Sequence, residues 1–204
     1  MRGRFITLEG IDGAGKSTQA GYIAQLLRAH GADLVVTREP GGTDLGEPVR
    51  QLVLHRSMTP RTETLLVFAA RAQHIETVVE PALATGRWVL CDRFTDATFA
   101  YQGGGRGVAE ADIGTLEQWV QRGLQPDLTL LFDVPPEIAA GRLAGSRTAD
   151  RFEQEQTQFF ARVRAVYLAR ARQHAHRFIV IDGTRDAGVV RGFVEDHLQQ
   201  WLKT

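Results

Sequence analysis

Eight residues near the start of the chain, Gly10-Ile-Asp-Gly-Ala-Gly-Lys-Ser17, constrain it most. They satisfy Gly-x-x-x-x-Gly-Lys-Ser/Thr, the pattern of a phosphate-binding loop (P-loop). A polyphosphate needs several backbone N–H groups converging on it. Gly10, Gly13 and Gly15 let the chain turn where a Cβ would obstruct that convergence. Lys16 supplies a point charge for the outer phosphates, and the Ser17 hydroxyl is a ligand for Mg²⁺. The flanks agree. Phe5 to Glu9 alternates apolar and polar residues like a strand, and Ala20, Ile23, Ala24 and Leu27 recur at helical spacing. Strand, glycine loop and helix N-terminus together make an anion site. Lys16 and Lys203 are the only lysines in the chain.

The remaining composition sets bounds. A chain of 204 residues, 43% apolar, predicts one domain with a sizeable core. The net charge of +0 provides no global field for nucleic acid or an acidic membrane, so neither is expected as a partner. The lone Cys91 forms no internal disulfide and suits a reducing cytoplasm. Met1 to Arg4 runs straight into the first strand with no signal-like apolar core. No apolar run is long enough to span a membrane.

Five short apolar segments read as strands: Phe5 to Glu9, Leu34 to Thr37, Trp88 to Cys91, Leu128 to Phe132 and Phe178 to Ile181. All but the first look buried on both faces, as parallel strands are. Helical patterns lie between them. One long helix is predicted from Pro60 to Gly86, kinked at Pro81, and another from Ala109 to Gly123. A third starts at Pro135-Pro136 and ends near Leu143, and others run from Arg151 to His174 and from Ala187 to Leu202. The expectation is a three-layer α/β fold of the P-loop NTPase type, with five parallel strands and helices on both faces. Ligands then gather at the carboxyl ends of the strands. There the sequence places the P-loop, Arg38-Glu-Pro-Gly-Gly42, Asp92-Arg93, Asp133 and Asp182-Gly183.

Several of these positions carry two readings. Arg38 is a fork for an acceptor phosphate or a solvated turn residue. Asp92 holds Mg²⁺ through water with Arg93 on a phosphate, or the two form a local ion pair. Asp133 is a metal ligand or a helix cap. Phe68 and Arg71 share one helix face, which suits a flat heterocycle, although core packing also explains Phe68. Gln102, in Tyr101-Gln-Gly-Gly-Gly-Arg-Gly107, reads a base edge or sits in a flexible loop. Cys91 reads as a small core residue, and the six histidines show no metal spacing.

The P-loop, Thr37-Arg-Glu-Pro-Gly-Gly42, Asp92-Arg93-Phe94 and Ala100-Tyr-Gln-Gly-Gly-Gly-Arg-Gly107 follow one another as in bacterial thymidylate kinases, which the chain resembles over essentially its whole length. The resemblance implies ATP-dependent phosphorylation of dTMP to dTDP with Mg²⁺. ATP would be held by Gly10, Ile11, Asp12, Gly13, Ala14, Gly15, Lys16, Ser17 and Thr18, with Arg142 over its adenine. Asp12 would approach the 3′-hydroxyl of dTMP, and Arg38 and Arg93 would bind its phosphate. Phe68 would stack on thymine, Arg71 and Gln102 would bond its edge, and Tyr101 would lie against the deoxyribose. Phe94 stands where Tyr or His is common in the family.

Position 13 is glycine, where some members carry a catalytic arginine. That arginine is therefore expected from a lid at about residues 144–152, with Arg151 favoured over Arg147 because it directly precedes a predicted helix. The long Pro60–Gly86 helix is apolar on more than one face, and with the resemblance it points to a homodimer. A kinase for UMP or a deoxynucleoside is the nearest alternative reading. A regulatory nucleotide switch is the other, although no Asn-Lys-x-Asp guanine-reading segment is present.

Overall fold

β1 (Phe5–Glu9) is the axis of the molecule: all five of its residues are buried. β3 (Trp88–Asp92) and β4 (Leu128–Asp133) pair with it in parallel on either side. β2 (Leu34–Arg38) and β5 (Phe178–Asp182) close the edges, giving the order β2-β3-β1-β4-β5. This computed structural model describes residues 2–144, 150–153 and 155–203. The alternation in β1 does not mark a half-exposed strand. Its polar residues are buried and satisfied: Thr7 Oγ1 lies 2.9 Å from Thr129 Oγ1, and Glu9 accepts from Phe94 N and Tyr167 Oη. The edge strands, expected to be buried on both faces, expose every second or third residue, including Val36 and Val180. An edge strand has a neighbour on one side only, so its burial is incomplete.

Side chains leave β1 and β3 alternately on both faces. Ile6, Leu8 and Leu90 enter the main core, while Phe5, Val89 and Cys91 pack with Ile75, Val79, Leu83 and Phe94 in a second one. Helices supply both layers. α1 (Lys16–Ala29) packs beside α9 (Ala187–Leu202), which covers β5, and α8 (Thr157–Gln173) lies against α7 (Pro136–Leu143). α2 (Gly46–His55) and α6 (Glu110–Gln121) both flank α3 (Pro60–His74). α3 begins at a Thr59 cap with Pro60 in its first turn.

The predicted Pro60–Gly86 helix is in fact α3, a π-helical turn at Ile75–Val79, and α4 (Glu80–Ala84). The irregularity sits in the turn before Pro81, whose missing N–H removes a bond from that turn. A short α5 (Thr95–Thr98) runs into a second π-helical segment, Phe99–Gly105. Gly103, Gly104 and Gly105, which a flexible loop would also explain, are therefore helical, and the last two are tightly packed. A Cβ on Gly105 would meet the Phe159 ring at 2.5 Å, and one on Gly104 would meet Val166 Cγ2 at 2.6 Å. α8 starts at Thr157 rather than at Arg151.

Candidate active site

The P-loop turns through positive φ at Gly10, Gly13 and Gly15 before α1 begins. Two of these glycines are also required by space. A Cβ at Gly10 would stand 2.4 Å from the Phe132 carbonyl oxygen, and one at Gly13 2.4 Å from that of Ala139. An arginine at position 13 is thus excluded unless α7 moves. Lys16 is buried and folds back on the loop, donating to Gly10 O (2.9 Å) and Ile11 O (3.0 Å). Burial, then the Arg93 guanidinium, lowers its ammonium to about 8.

Beside the loop stands Arg93, in the left-handed region at φ 69°. It donates to Asp12 Oδ1 (2.6 Å), Gly10 O (2.9 Å), and the hydroxyls of Tyr101 and Tyr167 (3.2 Å each). Tyr101 Oη donates in turn to Asp12 Oδ2 at 2.9 Å. Burial alone would raise the Asp12 carboxyl, but Arg93 and Lys16 bring it down to about 2. Burial raises the buried Glu9 carboxyl, with Asp96 adding to the effect.

Asp12 and Arg93 also line a cavity of about 90 Å³, together with Pro40, Arg50, Arg71, Phe94, Ala97, Thr98, Tyr101, Gln102 and Phe152. Ordinary ligand pockets hold roughly 300–1,000 Å³. One of its walls is Phe152, which belongs to the segment before α8. Arg71 is 1% exposed and held on two sides: Nε donates to Glu39 Oε2 (2.7 Å) and Nη2 to Thr98 Oγ1 (2.9 Å). Its Nη1 is buried with no partner among the described residues. An unmade bond there costs about 1–3 kcal/mol, which a ligand acceptor would recover. Glu39 itself is braced by His74 Nδ1 at 2.8 Å, and Thr37 Oγ1 lies 2.7 Å from His74 Nε2.

Not every predicted residue meets this cavity. Arg38 is half-exposed and bonded to Glu47 at 2.8 Å, outside the lining. Phe68 is 2% exposed and packs with Phe99 and Ile113; the Arg71 guanidinium lies 4.8 Å from its ring centroid. Phe94, whose ring centroid is 5.1 Å from the Arg71 guanidinium, lines the cavity, as Tyr101 and Phe152 do. Arg151 does not precede a helix. It is held by Val53 O (Nη2 at 2.9 Å) and by Glu63, and Phe152 sits over the Tyr101 edge. Arg147 lies outside the described residues. Asp133 neither caps α7 nor stands free, since Arg164 grips it at 2.6 and 2.8 Å. Burial pushes the Cys91 thiol up, leaving no reactive thiolate.

Sequence reasoning missed Arg50 and Glu63. Arg50 lines the cavity, and burial, then Arg38 and Arg93, lowers its guanidinium, against the opposing pull of Asp92 and Glu47. Its signal was weak, because Pro48 and the three glycines before it, Gly41, Gly42 and Gly46, obscured α2.

A second cleft opens on the other side of the P-loop. Ala14, Gly15, Thr18 and Arg142 line it with Gly183, Thr184 and Arg185 from the turn after β5. Arg142 Nη1 reaches Gly13 O at 3.5 Å. For Mg²⁺, the described residues offer no cluster of three or more acidic, histidine or cysteine side chains. They do offer Asp92, whose Oδ1 is buried without a partner, and Ser17, exposed at the start of α1.

A P-loop on the central strand, beside a separate cavity that shares Asp12 and Arg93 with it, is the arrangement of a small P-loop phosphotransferase. The chain belongs to the thymidylate kinase family: the family model "Thymidylate kinase" matches residues 8–193. A thymidylate kinase of Cupriavidus metallidurans is 63% identical over 96% of this chain and 98% of its own. One from Methylobacillus flagellatus is 58% identical over 98% of this chain and 99% of its own. The crystal structure of thymidylate kinase from Ehrlichia chaffeensis aligns with a TM-score of 0.79 at 34% identity, covering 97% of this chain and 99% of that one.

Proposed function

We propose that the protein transfers the γ-phosphoryl group of ATP to dTMP, giving dTDP and ADP. The observation that carries the reading is the junction at Arg93, which touches the P-loop at Gly10 and lines the acceptor cavity. A group placed there meets phosphates from both sides. ATP lies along Gly10 to Thr18, with its adenine beside Arg142 in the cleft before Arg185. The dTMP phosphate lies beside Arg50 and Arg93, and Arg38 joins them by leaving Glu47. Its base sits near Phe94 and Phe68 with its edge toward Arg71 and Gln102, its deoxyribose against Tyr101, and its 3′-hydroxyl toward Asp12.

Catalysis needs no protein nucleophile. A dTMP phosphate oxygen attacks the γ-phosphorus in line and ADP departs, while Lys16 and Arg93 stabilise the charge spread over the transferred group. Mg²⁺ would further neutralise the ATP phosphates, and Ser17 and Asp92 are the residues that would hold it. Arg151 serves as the lid arginine, exchanging Glu63 and Val53 O for phosphoryl oxygens. We further infer a single domain acting as a homodimer in the cytoplasm. In support, Cys91 is a free buried thiol, and no helix among the described residues is long and apolar enough to cross a membrane.

The test is a coupled assay with ATP and a panel of monophosphates, with and without EDTA. The expected result is Mg²⁺-dependent turnover fastest on dTMP. Turnover far faster on UMP or CMP overturns the assignment.

A further inference from the structure

Glu63 is fully buried on α3, a rare place for a carboxylate. Every group bonded to it is a donor. Oε1 accepts from Gln102 Nε2 at 2.7 Å. Oε2 takes Arg151 Nη2, and Arg106 Nε stands 3.5 Å from it. A carboxylate only accepts, so the Gln102 amide has no choice of face. Its NH₂ turns to Glu63. Its carbonyl oxygen, without a partner among the described residues, is left for the cavity that Gln102 lines. The same cavity is lined by Arg71, whose Nη1 is a buried donor with nothing to bond. The wall thus presents an acceptor and a donor. A 4-keto pyrimidine offers N3–H and O4, the complement of that pair. A 4-amino pyrimidine offers a bare N3 and an NH₂, which sets acceptor against acceptor and donor against donor.

We propose that Glu63 is a positioning residue for base selection: by fixing the Gln102 amide, it makes the cavity accept 4-keto pyrimidine monophosphates and reject 4-amino ones. This inference rests on the dTMP reading and deepens it. Glu63 touches no substrate and acts through Gln102. If its carboxylate is replaced by an amide, Gln102 finds a partner in either orientation, and the acceptor facing the base is no longer assured.

The test compares kcat/KM for dTMP and for dCMP in wild type, Glu63→Gln, Gln102→Ala and the double variant. Loss of the Arg151 anchor slows both substrates alike and cancels from the ratio, whereas rotation of the amide does not. Wild type is expected to prefer dTMP strongly. Glu63→Gln is expected to reduce the preference about 10-fold or more, through the KM for dTMP, as lost hydrogen-bond discrimination does. In the Gln102→Ala background the same change is expected to move the ratio no further. A folded Glu63→Gln with the wild-type ratio overturns the inference while leaving the dTMP assignment intact. So does an equal fall in the Gln102→Ala background. A wild-type protein with no preference for dTMP overturns both.

If Glu63→Gln does not fold, the ¹⁵N spectrum of wild type decides, with the Gln102 amide identified by its loss in Gln102→Ala. Slowly exchanging amide protons displaced from free-glutamine positions are expected, and free-like ones overturn the proposal.

Discussion

Lys16 has two jobs that conflict until a nucleotide arrives. It is buried against carbonyls, which lowers its ammonium from 10.5 to about 8, whereas polyphosphate favours the protonated form. In the unliganded protein Lys16 therefore loses its proton as pH rises through about 8. The unfolded chain holds that proton up to its ordinary value, so the burden on folded stability is present below pH 8 and lifts between 8 and 10.5. ATP binding at pH 9 is expected to take up a proton, and its affinity to fall by up to about tenfold per pH unit above 8. Calorimetry in buffers of different ionisation enthalpy measures both; proton-neutral binding at pH 9 contradicts the argument. Lys16→Ala is expected to lower kcat by about 10²-fold or more with the fold intact by circular dichroism.

Phe68 belongs to the core but lies directly beside Arg71. It packs with Phe99 and Ile113 while its ring supports the Arg71 guanidinium. Phe68→Ala is expected to cost roughly 3–5 kcal/mol of stability and to raise the KM for dTMP more than that for ATP. Equal shifts in both KM values would reduce it to core packing alone.

Among the elements, the two π-helical segments are the most informative. The Phe99–Gly105 segment carries Tyr101 and Gln102 toward the cavity, and its glycines let α8 approach. A methyl at Gly104 would crowd Val166 and the Arg162 carbonyl. Gly104→Ala is therefore expected to lower stability by about 1–3 kcal/mol, read as a fall in Tm. An unchanged Tm would return this segment to the flexible loop that its composition suggests. The stretch before α8 behaves differently. Arg151 is anchored to α3 and to the end of α2 rather than to a following helix. Arg151→Ala is expected to slow single-turnover transfer at saturating substrates by 10²-fold or more, since an arginine at the transferring group is worth about that or above. Full-rate transfer would leave Arg151 as a brace for Glu63 only.

At the scale of the molecule, three exposed apolar side chains sit on helices that neighbour one another. Leu65 on α3 is 51% exposed, Trp119 on α6 is 75% exposed, and these two helices pack together. Leu52, on the adjoining α2, is 45% exposed. A two-fold pairing through these helices is the proposed dimer contact. Sedimentation at micromolar concentration is expected to show a dimer, and Trp119→Glu or Leu65→Glu to shift it to monomer. Monomer alone in the wild-type protein ends the proposal.

Periodicity and spacing by themselves determined the five strands to within a residue, the start of the P-loop helix, α7 and the whole of α9. These signals are local: hydrophobic runs, glycine spacing, Pro136 in the first turn of its helix. Residues adjacent in sequence, such as Gly10 to Ser17, were legible as a site for the same reason. Only the tertiary structure decided which buried polar groups meet. Glu9 with Tyr167, Arg71 with Glu39 and Glu63 with Gln102 lie 158, 32 and 39 positions apart. A carboxylate inside a helix reads as a solvated face until its partners are known. The orientation of Gln102, and with it what the site accepts, is a property of a hydrogen bond between two helices that no local pattern encodes.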